Sequence, residues 1–479
     1  MPLPTIPSGN VFSSLPTGFN VDNSCRFNDG DSAHLTSDFS GTGSSSAAIA
    51  TYSVWIKTST VQTAKATIVS NKDDGSNYLS VRIQDQVLRI QGISPICDLI
   101  SDRKFRDPSA WYHIVMAFDT AQSTASNRIK VWVNNEQITS WSTETYLAED
   151  SELFLTKSDD LEIGQFSDDG SQFFDGYMAE FVCIDGTALT PSSFGEYDDD
   201  SPTIWKPKDV SGLTFGSKGY YLDFEDSAAL GDDKSGNNND FTENNIAAAD
   251  QATDSPTNNF ATLNPLDAFY TNSTFSEGNT MFASGSSYTG TQANILLTAG
   301  KWYWEVNVIS KTGDTDNYTI GIIGAQATAT NQFPGYPATG YAIYGVNGQI
   351  YNNNSGSTYA AAYAAGDIIG VALDLTNSKL YFSKDGAWAD GSGSWDSTTF
   401  DAAVGAISIT APASTPLGGY LSSQTFWSGS GATFKLNFGN PAYANSSDVA
   451  DENGYGAFEY APPSGYLALC TKNLGSDGG

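Results

Sequence analysis

Positively charged side chains are scarce in this sequence. Its 479 residues include 54 aspartates and glutamates but only 22 lysines and arginines, so the formal net charge is −32. Proteins that bind a nucleic-acid backbone do so through clustered lysines and arginines, and no basic stripe occurs in this chain. The charge balance therefore excludes nucleic acid as a partner. It also predicts that copies of the chain repel one another unless salt screens the charge.

Long apolar segments are also absent. No apolar run approaches the ~18 residues that a membrane-spanning helix requires, so we expect no membrane insertion. The first residues, Met-Pro-Leu-Pro-Thr-Ile-Pro, lack both the basic region and the apolar region of a secretory signal peptide. We therefore expect a protein that is made in the cytoplasm and does not depend on a signal peptide.

Cysteine and histidine are rare, which limits the chemistry that the chain can carry. The 2 histidines, His34 and His113, leave few candidates for a histidine-based triad. The 4 cysteines form no C-x-x-C pair, so neither a zinc site nor a dense disulfide framework is indicated. We expect buried free thiols at Cys25, Cys97, Cys183 and Cys470.

The residues that are abundant are typical of β-structure. Only 16% of residues are charged, and Gly, Ser, Thr, Asn and Asp, which favour turns rather than helices, fill the gap. Short runs rich in aromatic and β-branched residues recur between these turn residues, as at 52–57, 129–133 and 301–307. The sequence therefore predicts an all-β protein built from two β-sandwich or jelly-roll domains.

The spacing of these runs divides the chain. The two β-sandwich domains are predicted at 21–190 and 266–470, joined by an acidic, Asn-rich connector at 191–265. Residues 1–20 are predicted to form an N-terminal arm, and residues 471–479 a C-terminal tail. The connector also contains aromatic side chains that favour an ordered segment packed on its neighbours, namely Trp205, Tyr220, Tyr221, Phe224, Phe241 and Phe260.

Part of the connector has the composition of a calcium loop. Oxygen-bearing side chains gather there around a glycine-centred turn, and calcium takes about six to eight oxygen ligands on a flexible loop. The alternative is an Asx-rich turn that caps itself without an ion. The candidate ligands are Asp223, Asp226, Asp232, Asp233, Asn237, Asn239 and Asp240.

The first predicted domain contains a Trp-Tyr-His strand at 111–113, a hairpin at Asn134-Asn135 and the run Phe-Asp-Gly-Tyr-Met-Ala-Glu at 174–180. With Ser53-Val-Trp-Ile-Lys57 and Ile163-Gly164, these motifs resemble the laminin G-like, concanavalin-type jelly roll. The resemblance implies a lectin-type sandwich. The resemblance also adds three candidate calcium ligands, Asp73, Asp74 and Asp119.

The second predicted domain resembles the SPRY domain. Gly300-Lys-Trp-Tyr-Trp-Glu-Val306 is similar to the opening strand of that family, and Gly366-Asp-Ile-Ile-Gly-Val-Ala-Leu-Asp374 to a later one. The hairpin Leu380-Tyr-Phe-Ser-Lys-Asp-Gly386 and the closing strand Phe434-Lys-Leu-Asn-Phe-Gly439 follow in the same order. The resemblance implies a second β-sandwich.

Taken together, the two domains and several segments around them resemble virion structural proteins of marine tailed phages. That resemblance implies a fibre or capsid appendage on the virion surface, made in the host cytoplasm. It also implies other virion proteins as partners and a symmetric oligomer, for which we expect a trimer. The segments that carry the resemblance are 24–29, 105–113, 188–191, 224–240, 254–258 and 468–473.

Host adhesion would require a surface for glycans. Exposed aromatic rings stack on pyranose sugars, and loop aromatics of the second domain are the candidates. The alternative is that these rings cover the ends of the sandwich. The candidate residues are Tyr341, Tyr344, Trp388, Trp395 and Trp427.

Catalysis is a further alternative, because concanavalin-type jelly rolls also host glycoside hydrolases, which need two carboxylates about 5 to 9 Å apart. Asp150 and Glu152 would share a strand face, and so would Asp223 and Glu225. The first pair lies in a turn-like acidic stretch without apolar alternation, so we expect exposed loops and no enzyme. The three functional hypotheses are thus a host-binding virion protein, a capsid decoration or connector without a ligand, and a polysaccharide depolymerase.

Overall fold

The computed structural model describes residues 18–37, 47–61, 64–72, 77–153, 161–199, 201–267, 273–284, 289–311, 317–326, 333–427 and 432–476. Among the described residues, strands account for 44% and helices for 6%, which confirms the all-β prediction. All 4 cysteines are buried free thiols, as expected. No helix in the described part of the chain is long and apolar enough to span a bilayer.

The contacts within the chain define two compact units, which we call the first unit (Gly18–Asn259) and the second unit (from Phe260 onward). One sheet of the first unit, sheet A, is antiparallel. Its spatial order is β10 (Glu136–Gln137), β9 (Ile129–Val133), β8 (Tyr112–Asp119), β3 (Ile49–Thr58), β13 (Gly176–Asp185), β1 (Ser24–Phe27) and β18 (Gln251–Ala252), with β16 (Tyr220–Leu222) also paired to β13.

The other sheet of the first unit, sheet B, packs against one face of sheet A. Its order is β11 (Trp141–Thr145), β7 (Cys97–Lys104), β6 (Val87–Gly92), β5 (Tyr78–Gln84), β4 (Lys65–Lys72), β12 (Leu161–Ile163), β2 (His34–Ser37) and β17 (Thr242–Asn244). A separate ribbon pairs β14 (Gly195–Tyr197) with β15 (Trp205–Pro207). Short 3-10 turns lie at Asp29–Asp31, Ala125–Asn127, Pro191–Ser193 and Ala248–Asp250.

Strand β3 shows why the first unit needs more than two layers. Ala50, Tyr52, Val54 and Ile56 belong to the core between sheets A and B, as the two-residue period of a strand requires. On the opposite face, Trp55 packs with Val21 and Ala179 in a second apolar cluster. The neighbouring strand β13 is buried along its whole length. Both strands therefore have two buried faces.

Residues 191–259, which lie within the ordered connector predicted at 191–265, cover the outer face of sheet A. Phe194, Val210, Phe215 and Tyr221 pack there on Val182. The segment also supplies β14 to β18, and three of these strands pair with sheets A and B. The physical reason is that the outer face carries two apolar clusters, around Val182 and Trp55, which a third layer removes from water.

The second unit is also a sandwich of two antiparallel sheets. Sheet C has the order β19 (Ser273–Ser276), β20 (Met281–Ser284), β33 (Ala432–Asn437), β22 (Lys301–Lys311), β27 (Ile368–Asp374), β28 (Lys379–Lys384), β29 (Ala387–Ala389) and β30 (Trp395–Ser397), with β31 (Ile407–Ser408) also paired to β28. Sheet D has the order β21 (Thr289–Gln292), β32 (Leu421–Trp427), β23 (Asn317–Ile323), β24 (Gly340–Tyr344), β25 (Ile350–Asn352) and β26 (Ser355–Ser357).

A C-terminal segment covers the outer face of sheet C. Phe458, Tyr466 and Ala468 pack there on Tyr303 of β22. Further 3-10 turns lie at Pro265–Asp267 and Pro412–Ser414. The tail predicted at 471–479 begins with a short helix, α1 (Thr471–Ser476).

The covering role of residues 191–259 can be tested with two fragments of the first unit. We expect the fragment 18–259 to fold, and the fragment 18–193 to aggregate or to lose its cooperative thermal unfolding. The shorter fragment leaves Trp55, Val182 and their neighbours exposed, at a cost of roughly 1.5–3 kcal/mol for each large side chain. Circular dichroism melts and size-exclusion chromatography measure the difference. A monomeric 18–193 fragment with a sharp melt would contradict the third-layer interpretation.

Candidate binding site

His113 lies on β8 against the covering layer, with both of its ring nitrogens engaged. The indole Nε1 of Trp205 donates to His113 Nδ1 at 2.9 Å, and His113 Nε2 lies 2.8 Å from the Ser53 hydroxyl oxygen. Because an indole nitrogen can only donate, Nδ1 accepts and Nε2 carries the proton. His113 therefore donates to Ser53 and cannot take a proton from it.

Burial keeps this histidine neutral. Desolvation lowers the pKa of His113 to about 3, because a charged ring is disfavoured away from water. The ring of Trp55 is stacked on it with centroids 4.6 Å apart. The arrangement is that of a structural histidine, and it does not activate Ser53 as a nucleophile.

The acidic pairs suggested as catalytic lie in different settings. Asp150 adopts a positive φ of 58°, and both Asp150 and Glu152 are exposed outside any strand. Asp223 directly follows β16 and is half-buried, while Glu225 is exposed. The first pair therefore lacks the strand that would aim its two carboxyl groups at one cleft.

Beside Asp223 lies a buried acid that motif reasoning missed, Glu180 of β13. The pairing of β13 with β16 reaches as far as Phe181 and Leu222, and the charge of Asp223 acts on Glu180. A β-bulge interrupts β13 between Ala179 and Val182, and Glu180 has a positive φ of 50°. A glutamate in a strand buried on both faces is the sequence signal that could have found it.

The proton of Glu180 is held at neutral pH. Burial raises its pKa to about 8, and the charges of Asp223 and Glu225 add to the effect, while the hydrogen bond from Tyr221 opposes it. The Tyr221 hydroxyl donates to Glu180 Oε2 at 2.8 Å. Glu180 is only 6% exposed, so its carboxyl group offers a sugar little surface.

Glu180 predicts a pH dependence of stability. Its folded pKa of about 8 lies above the ordinary 4.5, so its contribution is fully present below about pH 4.5 and is lost as the pH rises through about 8. We expect Glu180→Gln to match the wild type near pH 5 and to melt several degrees higher near pH 9. Thermal melts across this range measure the difference.

The exposed Glu152 supplies the matched control for that experiment. Glu152→Gln removes one carboxylate charge at an exposed position outside any strand, so it controls for the change in net charge. If Glu180→Gln and the wild type lose stability in parallel between these two pH values, Glu180 does not retain its proton in the folded protein.

Asp233 organises the loop predicted to bind calcium. Its Oδ1 accepts from the backbone N–H groups of Tyr221 and Ser235, and its Oδ2 accepts from the Asn239 N–H and the Ser235 hydroxyl, all at 2.7 to 2.9 Å. Asp240 Oδ1 accepts from the N–H of Asp233 at 3.0 Å. The loop thus closes on itself through Asx-type bonds.

The other calcium candidates also have partners inside the protein. The side-chain amides of Asn237 and Asn239 donate to backbone carbonyls at 216–219. Asp223 and Asp226 accept from backbone N–H groups two residues ahead of them. Asp232 lies 3.4 Å from the ammonium nitrogen of Lys234.

Asp119 also lies in a turn that it closes itself, where its carboxylate accepts from Ala121 N–H and from the Gln122 amide. Asp73 and Asp74 lie outside the described residues. Across the described residues, no group of at least three His, Cys, Asp or Glu side chains is arranged to hold a metal. The geometry fits the self-capped turn, and calcium binding stays a prediction.

The aromatic candidates of the second unit are spread over several places. Tyr341 is a core residue of β24, only 6% exposed, and its hydroxyl pairs with Thr410. Tyr344 is half-buried and donates to Asn317. Trp427 ends β32, and its side chain lies outside the described part of the chain. Tyr341 was expected in a loop, but the inward face of a strand makes it unavailable for stacking.

Trp388 and Trp395 lie on adjacent strands at the edge of sheet C. Trp388 is half-buried and meets the ring of Phe400 at 4.9 Å between centroids. The Trp395 indole donates to the carbonyl of Ala361 at 3.0 Å, which fixes β30. The structure therefore brings these two candidates to one edge, apart from the other three.

Trp388 lines a concave site of about 210 Å³, which we call the Trp388 cavity. Aromatic rings and acidic side chains share its wall. Asp390 is held rigidly, because its carboxylate accepts from the Ser392 hydroxyl and from three backbone N–H groups at 392–394. The Ser392 hydroxyl bond, together with the backbone bonds, lowers the pKa of Asp390 to about 2. The lining residues are Tyr381, Phe382, Trp388, Ala389, Asp390, Asp396, Ser397, Thr399, Phe400, Asp401 and Val404.

Comparison with known families agrees with the two sandwiches. Residues 28–193 match the concanavalin A-like lectin/glucanases superfamily, and residues 301–411 match the SPRY domain. The chain contains a laminin G-like domain and a SPRY domain. This result confirms the domain content inferred from the motifs, and the Trp388 cavity lies within the SPRY match.

Curated relatives share a short segment with the chain. It is 33% identical over 94 residues to Ran-binding protein 9 of Danio rerio and 31% identical over 93 residues to the Ran-binding proteins 9/10 homolog of Drosophila melanogaster. The segment is 19% of this chain but only 15% and 10% of those proteins. The chain therefore spans a small part of the relatives that it matches.

Solved structures are also similar to part of the chain. The SPRY domain of human HERC1 is 14% identical, with a TM-score of 0.26, and the match covers 36% of this chain and 96% of that one. Stonustoxin is 18% identical, also with a TM-score of 0.26, over 37% of this chain and 27% of that one.

Proposed function

We propose that the protein is a non-enzymatic surface protein of a tailed-phage virion, of fibre or capsid-appendage type, that binds a glycan or a protein on the host surface. A lectin-like domain beside a SPRY domain supports a binding role. The virion assignment rests on the motif resemblance of segments such as 24–29 and 254–258. Other virion proteins would be its partners, and a trimer its oligomeric state.

The Trp388 cavity carries the binding proposal. A half-buried indole offers an apolar face to the C–H groups of a sugar, and the exposed carboxylates of Asp396 and Asp401 beside it can accept from hydroxyl groups. Concave sites that combine apolar walls with a few polar groups are typical of ligand sites. The Trp388 cavity thus gives the second unit a contact surface of its own.

The size of the cavity indicates weak binding at a single site. Its volume of about 210 Å³ is below the roughly 300–1,000 Å³ of ordinary small-molecule pockets. Several copies on one particle would multiply the strength through avidity, by roughly 10²–10⁴. This is how a symmetric appendage would make a shallow site effective.

The assignment as a non-enzyme is supported by the two best catalytic candidates. His113 is neutral and donates to Ser53, so it is not available as a base. Glu180 is enclosed beneath Tyr221. The names of the relatives record that they bind Ran. For this chain, those names favour a protein as the alternative ligand of the Trp388 cavity.

The binding proposal predicts that Trp388→Ala weakens attachment. We expect roughly a tenfold loss, equivalent to about 1.4 kcal/mol, because the stacking surface is removed. Trp388→Phe, which keeps a ring, is the matched variant and should retain most of the binding. Glycan arrays and competition of the purified protein with particle adsorption measure the effect.

Other results would select the other hypotheses. Absence of all glycan and cell binding, together with particles that lose integrity without the protein, would favour a capsid decoration or connector. Release of reducing sugar from host polysaccharide would favour a depolymerase. Equal binding by Trp388→Ala and the wild type would remove the Trp388 cavity from the proposal.

A further inference from the structure

A lysine, an aspartate and an asparagine meet under the third layer of the first unit. Lys57 is the last residue but one of β3. Its Nζ lies 2.7 Å from Asp254 Oδ2 and 2.7 Å from Asn259 Oδ1. The side chains of Lys57 and Asp254 are 1% and 0% exposed. The partners are 197 and 202 residues away in the sequence, so only the folded unit brings them together.

Each member of this triad is held in place by further contacts. The indole of Trp111 donates to Asp254 Oδ1 at 2.9 Å. The Asn259 side-chain nitrogen donates to the carbonyl of Ser109 at 2.8 Å. The ring of Tyr177 lies 5.7 Å from the Lys57 nitrogen. The amine, the amide and the acid are thus fixed between aromatic side chains.

We propose that Lys57 and Asn259 are joined by an intramolecular isopeptide bond, with Asp254 transferring the protons. Lys57 first gives a proton to Asp254, and the free Nζ electron pair attacks Cγ of Asn259. Asp254 passes this proton to the Asn259 side-chain nitrogen and takes the second proton from Nζ, the Cγ–Nδ2 bond breaks, and ammonia leaves. Asp254 ends the reaction protonated. One amide bond replaces another, so the step needs no oxidant, reductant or cofactor.

The geometry favours this reaction in two ways. A hydrogen bond from Nζ to Oδ1 places Cγ one covalent bond further away, which is close to the ~3–3.5 Å of a productive approach. Exclusion of water removes the competing hydrolysis.

Asn259 rather than Asp254 is the acceptor because of the chemistry of the two groups. A carboxylate carries a negative charge that repels a nucleophile, and Asp254 is engaged on both of its oxygens by Lys57 and Trp111. The amide of Asn259 is uncharged, and its nitrogen becomes a leaving group once it is protonated. Asp254 is therefore positioned to carry protons.

Mass spectrometry of the purified full chain tests the proposal. We expect the denatured protein to lack the mass of one ammonia, and a proteolytic digest to contain a branched peptide that joins the Lys57 and Asn259 segments. Recovery of those two peptides separately, with unmodified masses, would overturn the bond. A deficit of one water that maps to Lys57 and Asp254 would overturn the choice of Asn259.

Variants test the role of each member. Asn259→Ala and Lys57→Arg should abolish the deficit, and Asp254→Ala should abolish it while leaving both reacting groups present. Lys206→Arg is the matched control, because Lys206 is also buried and pairs with an aspartate, Asp198, at 3.1 Å; it should keep the full deficit. A folded Asp254→Ala variant, as judged by circular dichroism, that is still fully cross-linked would contradict proton transfer by Asp254.

Discussion

The first unit depends on one constraint, that the two central strands of sheet A, β3 and β13, are buried on both faces. Sheet B covers the inner face, and residues 191–259 have to cover the outer one. A polar group placed in such a layer needs a partner there, because an unpaired buried charge is very costly. Lys57 has two such partners, Asp254 and Asn259, at the point where the last residues of the layer reach β3.

In the second unit, the C-terminal segment covers the outer face of sheet C. Tyr303 and Glu305 lie on the outer face of β22, and both are fully buried. The Glu305 carboxylate accepts from the backbone N–H groups of Glu459 and Tyr460, at 3.0 and 2.8 Å. A buried acid thereby fastens the covering segment, and its burial raises the pKa of Glu305 to about 7. In both units, a polar side chain on the outer face of a sheet, Lys57 or Glu305, binds the largely apolar segment that covers that face.

Local patterns could predict the strands but not the layers. The alternation in β3 and the motifs around Trp304 are visible in the sequence because they depend on neighbouring residues. The covering role of residues 191–259 depends on contacts with distant strands, and in β13 the bulge at Glu180 breaks the two-residue period. Trp388 could be proposed from the sequence, although it lies on β29 and not in a loop. Glu180 could have been found only as a glutamate within a buried strand, and the grouping of Lys57 with Asn259 could not be found. Tyr341 was misplaced because an aromatic residue of a buried strand has the same composition signal as one in a loop.

The place where the third layer ends has a mechanical consequence. Asn259 is the last residue of the first unit, and it contacts Lys57 near the end of a strand in the middle of sheet A. A pulling force applied through residue 260 therefore acts first on the contact between Asn259 and Lys57, which lies on the interior strand β3. An interior strand resists such a pull through the hydrogen bonds to both of its neighbours, whereas an edge strand can be peeled away one bond at a time. A surface protein under drag would gain tensile strength from this point of attachment.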